Sequence, residues 1–260
     1  MIALNIQESG IVSMLLILAR CSGIFVFTPF LGSVNIPAQA RVILSFAVSY
    51  VFSLSFTLPP LPFLPSITSL LFGIAGELFI GVVIGFAAHA LFAGLQFAGQ
   101  MIGFHIGLSL VNTIDPQSST RSTALSVYQN YLGTMLFLGL NGHHWIIRAI
   151  YNSLTVVPPY SAGLRTQLFQ RLVAFTSQLF VIGFELAAPV VAVVFLTDFI
   201  IGVIGRSAPQ LQIMIIGLPL KVLVGISGLG LALYFFPAAM RMHFSQFHTD
   251  LDGLIRSMRK

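Results

Sequence analysis

The chain has 260 residues, of which 57% are hydrophobic and only 7% charged, against roughly a quarter charged in an average soluble domain. A soluble fold of this size has too little polar surface to present to water, so lipid or closely packed subunits must cover the remainder. The formal charge of +5 rests on twelve Lys and Arg, of which only Arg259 and Lys260 are adjacent, and no basic run interleaves with aromatics, which argues against a nucleic-acid partner.

At the N-terminus, residues 1–10 lack a basic region and carry Glu8. The apolar run 11–31 shows no small-residue cleavage pattern, so it is expected to be a retained helix rather than a signal peptide. The single cysteine, Cys21, lies inside this run and has no partner for an intramolecular disulfide.

Crossing a bilayer takes about 20 apolar residues. The candidate segments are 10–31, 41–58, 67–98, 99–114, 124–140, 145–157, 172–204 and 211–237. Two of these, 99–114 and 145–157, are short for a span, whereas 67–98 and 172–204 are long. Pro- and Gly-rich connectors separate them at 32–37, 59–65, 115–121, 158–163 and 207–210. The expected fold class is therefore all-α, a polytopic membrane protein of helical hairpins with short loops. The chain is expected to divide near residue 165, into parts 1–165 and 166–260.

The tail holds Arg241, Arg256, Arg259 and Lys260 against Asp250 and Asp252, while the N-terminal flank holds Glu8. The positive-inside rule then predicts a cytoplasmic C-terminus. Alternation of Met242, Phe244, Phe247, Leu251, Leu254, Ile255 and Met258 with polar residues predicts an amphipathic surface helix there.

Gly99, Gly103 and Gly107 recur every four residues, on one helix face where another backbone can approach closely; Gly81 and Gly85 repeat the spacing. The face reads either as ordinary helix packing or as close packing within an oligomer. Directly after it, Asp115-Pro116 breaks the helix, because the residue before proline avoids helical dihedrals. That break reads as a plain turn, or as a segment that enters a cavity and returns, since irregular backbone at membrane depth needs protein or water around it.

Charges inside apolar runs are costly unless paired. Asp198 and Lys221 flank the turn near 206–210 at similar distances, and an antiparallel hairpin would bring them together as a structural charge pair. Arg20, Glu77 and Glu185 receive no partner from the sequence. The adjacent His143 and His144 point about 100° apart on a helix, a poor arrangement for a metal, and no nucleophile, zinc, phosphate-loop or redox motif is present. No catalytic residue, metal or cofactor is expected.

In order along the chain, Arg20 ahead of Pro29, Ile36-Pro37 with Arg41, the run from Ala98 to Ser109 followed by Asp115-Pro116-Gln117, and the stretch 136–144 ending in His143-His144 resemble the FliR family of the bacterial flagellar type III export apparatus. So do Ala208-Pro209-Gln210 and the run from Ile216 to Lys221. The Asn141-Gly142-His143-His144 stretch is closer to the flagellar branch than to the virulence secretion branch. The resemblance implies a non-enzymatic export gate in the bacterial inner membrane, at the flagellar basal body, built with FliP-like and FliQ-like subunits and wrapped by an FlhB-like subunit. In this architecture 1–165 is a FliP-like part and 166–260 a FliQ-like hairpin. Unfolded flagellar proteins are the implied cargo. It further implies that 108–122 plugs the closed pore, with Leu108, Leu110, Val111, Thr113, Ile114, Asp115 and Pro116 in the plug. Some relatives carry aromatics where this chain has Leu110 and Thr113. A small-solute secondary transporter is the alternative from another class, but it predicts internal repeats and none is evident.

Overall fold

A computed structural model describes residues 8–29, 32, 36–55, 66–108, 123–161, 163, 165–207 and 213–259, without the side chains of 8, 9, 55 and 213–215. Seven helices occur among the described residues: α1 (Glu8–Phe27), α2 (Ala38–Ser55), α3 (Ile67–Ile106), α4 (Ala124–Gly139), α5 (Gly142–Val156), α6 (Thr166–Ser207) and α7 (Ile213–Ser257). The molecule is an all-α membrane protein. Four of these helices, α1, α3, α6 and α7, are long and apolar enough to cross a membrane, while α2 is a shorter apolar helix.

Element boundaries differ from the sequence expectation in three places. Segments 67–98 and 99–114 are not separate, because α3 runs unbroken for 40 residues through Ile106; the glycines at 99 and 103 are read by a neighbouring helix and do not interrupt this one. The C-terminal segment does not stop at Pro237, since α7 continues for 45 residues through both Pro219 and Pro237. A proline inside a helix removes one backbone bond, and in membrane helices packed neighbours and local adjustments absorb that loss. Segments 124–140 and 145–157 become α4 and α5, helices of 16 and 15 residues, too short to span a bilayer.

At 1.5 Å per residue, α3, α6 and α7 extend about 60 Å or more, roughly twice a hydrocarbon core of about 30 Å. Bilayer thickness therefore does not set the length of these helices.

The chain forms two compact units. The first contains Met1–Ala90, Asn141–Phe175 and Phe247–Lys260. Its α1 packs against α2, and Leu16, Ile17, Ile24, Ile80, Ile84, Ile150 and Leu154 are buried. The first and third helices cross at backbone distance. A Cβ on Gly23 would lie 2.7 Å from the Leu78 carbonyl oxygen, and one on Gly81 would strike the Arg20 carbonyl. Only glycines permit this approach.

The end of α7 lies in this first unit and corrects the surface-helix expectation. Phe247, Leu251, Leu254, Ile255 and Met258 are buried. The Phe247 ring packs on Phe175 with centroids 6.4 Å apart, His248 meets Trp145 at 5.9 Å, and Asn152 Nδ2 donates to Asp252 Oδ1 at 3.0 Å. Amphipathicity was legible in the sequence; that the apolar face meets protein rather than lipid depended on α5 and the start of α6 arriving beside it.

The second unit contains Leu91–Leu140 and Thr176–Gln246. Ala98, Ile102, Ile106, Leu125, Ala187, Val190 and Val194 form one buried cluster. Phe137 stands edge-on to Phe92 at 5.4 Å and to Phe244 at 5.5 Å, and Phe97 packs edge-on between Phe180 and Phe184. Such edge-to-face pairs add about 0.5–1.5 kcal/mol each beyond their area burial.

Candidate functional site

The glycine face of α3 receives the start of α4, all within the second unit. A Cβ on Gly99 would strike the Ser126 Cα, and one on Gly103 would lie 3.1 Å from the Thr123 side chain. Thr123 is the N-cap of α4: its Oγ1 accepts from Ser126 N–H at 3.2 Å. The same hydroxyl donates to the Gly99 carbonyl oxygen at 3.4 Å. One residue thus caps its own helix and ties it to α3.

Gly107 does something other than pack. Its φ of 94° is a left-handed backbone that side chains disfavour. Leu108 N–H donates to Gly103 O at 3.0 Å and Gly107 N–H to Phe104 O at 3.1 Å, the paired bonds of a Schellman stop. The three glycines share a spacing and divide the work: two admit α4, and the third ends α3.

These contacts fix both described ends of the segment between the helices. The chain leaves at Leu108, closed by the Schellman bonds, and re-enters at Thr123, clamped to the glycine face that precedes them. Of the residues assigned to the plug, Leu108 packs against the buried cluster of this unit; Leu110, Val111, Thr113, Ile114, Asp115 and Pro116 lie outside the described residues.

Asp198 and Lys221 are brought together. Lys221 Nζ lies 2.7 Å from Asp198 Oδ2, with 21% and 42% of the two side chains exposed. Around them Phe195, Leu196, Phe199 and Ile200 are exposed, so the pair sits on an apolar face.

Sequence reasoning left three charges without partners, and all three have one. Arg20 and Glu77 are buried in the first unit. Arg20 Nε donates to Glu77 Oε2 at 2.5 Å, Nη2 to the Val157 carbonyl oxygen at 2.9 Å and Nη1 to Ser153 Oγ at 3.3 Å. The Tyr160 backbone N–H also donates to Glu77, from a residue whose own φ is 67° and whose ring fills the space a side chain at Gly73 would take. In the second unit, Glu185 Oε2 lies 3.0 Å from His243 Nε2, although the two atoms are not aligned for a hydrogen bond. For the first pair the sequence shows opposite charges in apolar segments near Gly23 and Gly81, but nothing in it says that those two segments cross.

His143 and His144 stand with ring centroids 4.2 Å apart. Among the described residues no group of three or more His, Cys, Asp or Glu is placed to hold a metal.

The geometry is that of a helical membrane protein whose charges within apolar helices have partners, and the comparisons with known proteins agree. Residues 11–247 match the family described as Bacterial export proteins, family 1. The chain is 32% identical to the flagellar biosynthetic protein FliR of Bacillus subtilis, over 81% of this chain and 82% of that protein. It is 29% identical to FliR of Escherichia coli, over 81% and 80%, and 28% identical to FliR of Aquifex aeolicus, over 90% and 91%. With a family match across nearly the whole chain and relatives covered over most of their length, this protein belongs to the FliR family of bacterial export proteins.

Proposed function

We propose that this chain is a non-enzymatic gate component of the flagellar type III export apparatus, forming with FliP-like and FliQ-like subunits the pore through which unfolded flagellar proteins leave the cytoplasm. The observation that carries the reading is the family match over residues 11–247, together with relatives that all bear flagellar names. Those names favour the flagellar over the virulence branch.

The finer parts of the reading rest on different supports. Helices α3, α6 and α7 are far longer than a bilayer core, and large apolar faces on α2, α6 and α7 stay exposed (Ile43 68%, Phe199 66%, Leu231 68%). Sister subunits covering those faces would remove the mismatch, which supports a FliP-like part in 1–165, a FliQ-like hairpin in 166–260 and an FlhB-like subunit around the assembly. Its place is the inner membrane at the basal body, with the C-terminus cytoplasmic. The segment 108–122 acts as the plug, and the described residues at its two ends, Leu108 and Thr123, are both tied to α3. An apolar constriction closes a pore by dewetting.

Two measurements test this. Affinity purification of the tagged chain from its own membranes should recover FliP-like and FliQ-like subunits; recovery of a stable lone chain sinks the assembly reading. Deleting residues 110–120 should preserve that complex and make cells leak ions. Unchanged conductance with normal export refutes the plug and leaves the gate assignment standing.

A further inference from the structure

The end of α3 is held from two sides within the second unit. From α4, Thr123 and Ser126 occupy the face of Gly99 and Gly103. The other contact comes from α7. A Cβ on Gly225 would strike Ile106 Cγ1 and lie 2.7 Å from its Cδ1 and 3.2 Å from its Cγ2. Carbon atoms pack best at about 3.5–4.0 Å, so Ile106 sits where a side chain at 225 would be. Ile106 is fully enclosed, and Gly225 is buried.

One face of α7 forms this seat. Val222, three residues before Gly225, and Leu229, four after it, share its side of the helix. Both pack on the buried cluster to which Ile106 belongs. Leu223 and Ile226, on other sides of α7, are 65% and 55% exposed.

Position along α3 gives the contact its meaning. Ile106 is the last residue of that helix; Gly107 turns the chain with a φ of 94°, and Leu108 packs on the same cluster. A β-branched side chain in a helix has one strongly preferred rotamer, so seating its tip also fixes its backbone with little slack. The clamp at Thr123 reaches Gly103 and Gly99, one and two turns earlier. The stop of α3 itself is therefore seated on α7.

We propose that Gly225 is a positioning residue for the connector: by admitting Ile106, α7 fixes the point where α3 ends and so holds the resting pore shut. This rests on the reading of 108–122 as the plug. Gly133 supplies the comparison that separates positioning from packing. A Cβ there would strike Leu95 Cδ1, and Leu95 is as enclosed as Ile106 but lies three turns before it on α3.

The test uses the full chain in its assembled complex and measures resting ion leak per complex in cells, with the 110–120 deletion as reference. Gly225→Ala should raise the leak several-fold. Gly133→Ala crowds an equally buried side chain and should lower assembly yield without raising leak per complex. Ile106→Ala removes all three atoms that a Cβ at 225 would meet. It should leak too, and the double variant Gly225→Ala/Ile106→Ala should leak less than Ile106→Ala alone. That last comparison stands even where Gly225→Ala by itself fails to assemble. A deletion that leaks beside a tight Ile106→Ala complex, a Gly133→Ala as leaky as Gly225→Ala, or a double variant as leaky as Ile106→Ala would each overturn the proposal and leave the plug standing. A deletion that does not leak removes the plug reading, and this inference with it.

Discussion

Arg20 and Glu77, 57 positions apart, meet inside the first unit with Arg20 Nε 2.5 Å from Glu77 Oε2. The guanidinium is fully enclosed, and its remaining donors reach Ser153 and the Val157 carbonyl, so α1, α3 and α5 are joined through one side chain. Burial makes the pair asymmetric: intact it is close to neutral, whereas removal of one partner leaves an uncompensated charge.

Arg20→Met and Glu77→Leu should each therefore destabilise the protein by about 3–5 kcal/mol, and the double variant by clearly less than their sum. Protease resistance of the chain in membranes reads this directly. Additive single effects would show that the contact contributes no coupling.

Glycine substitutions should fall in a steep order. Gly81→Ala and Gly99→Ala place a methyl against the backbone of Arg20 and Ser126, Gly103→Ala meets a side chain at 3.1 Å, and Gly76→Ala meets nothing within 4 Å. Overpacking costs about 1–3 kcal/mol, so assembly yield should drop for the first two, drop less for the third and hold for Gly76. A flat series would mean the helices adjust freely.

Thr123 and Gly107 should matter to the connector more than to bulk stability. Thr123→Val removes an N-cap worth about 1 kcal/mol and the bond to the Gly99 carbonyl. Gly107→Ala forces a side chain into a left-handed backbone at about 1–2 kcal/mol. Both variants should assemble and raise resting ion leak, measured as dye or ion flux in cells. Full assembly without any leak would separate the clamp from gating.

The Asp198–Lys221 pair should report on its surroundings. Exposed pairs contribute about 0–1 kcal/mol in water, and more once covered. A double-mutant cycle with Asp198→Asn and Lys221→Met in the assembled complex should therefore give a coupling above the range of about 0–1 kcal/mol for an exposed pair. A coupling within that range would indicate that no neighbouring subunit covers this face.

Much of the site was readable in one dimension. Four-residue glycine spacing announced a close approach, and the Asp198 and Lys221 offsets around a turn announced a hairpin contact. Each is a local or nearly local relation, so period and distance along the chain suffice to find it.

Three things were decided only in three dimensions. Arg20 found Glu77 because α1 and α3 cross at Gly23 and Gly81, a contact with no sequence period. The apolar stripe after Phe244 became interior because α5 and α6 lie beside it, whereas the stripe alone suits a membrane surface equally well. Gly107 left its neighbours' face to stop α3, because the next residues close a Schellman motif. The sequence by itself determined the solvent: 57% apolar residues and a near absence of charge require an environment other than water, since burial scales with composition. Which of those apolar surfaces meet one another depended on where helices cross, and crossing is a property of pairs of segments that no single segment encodes.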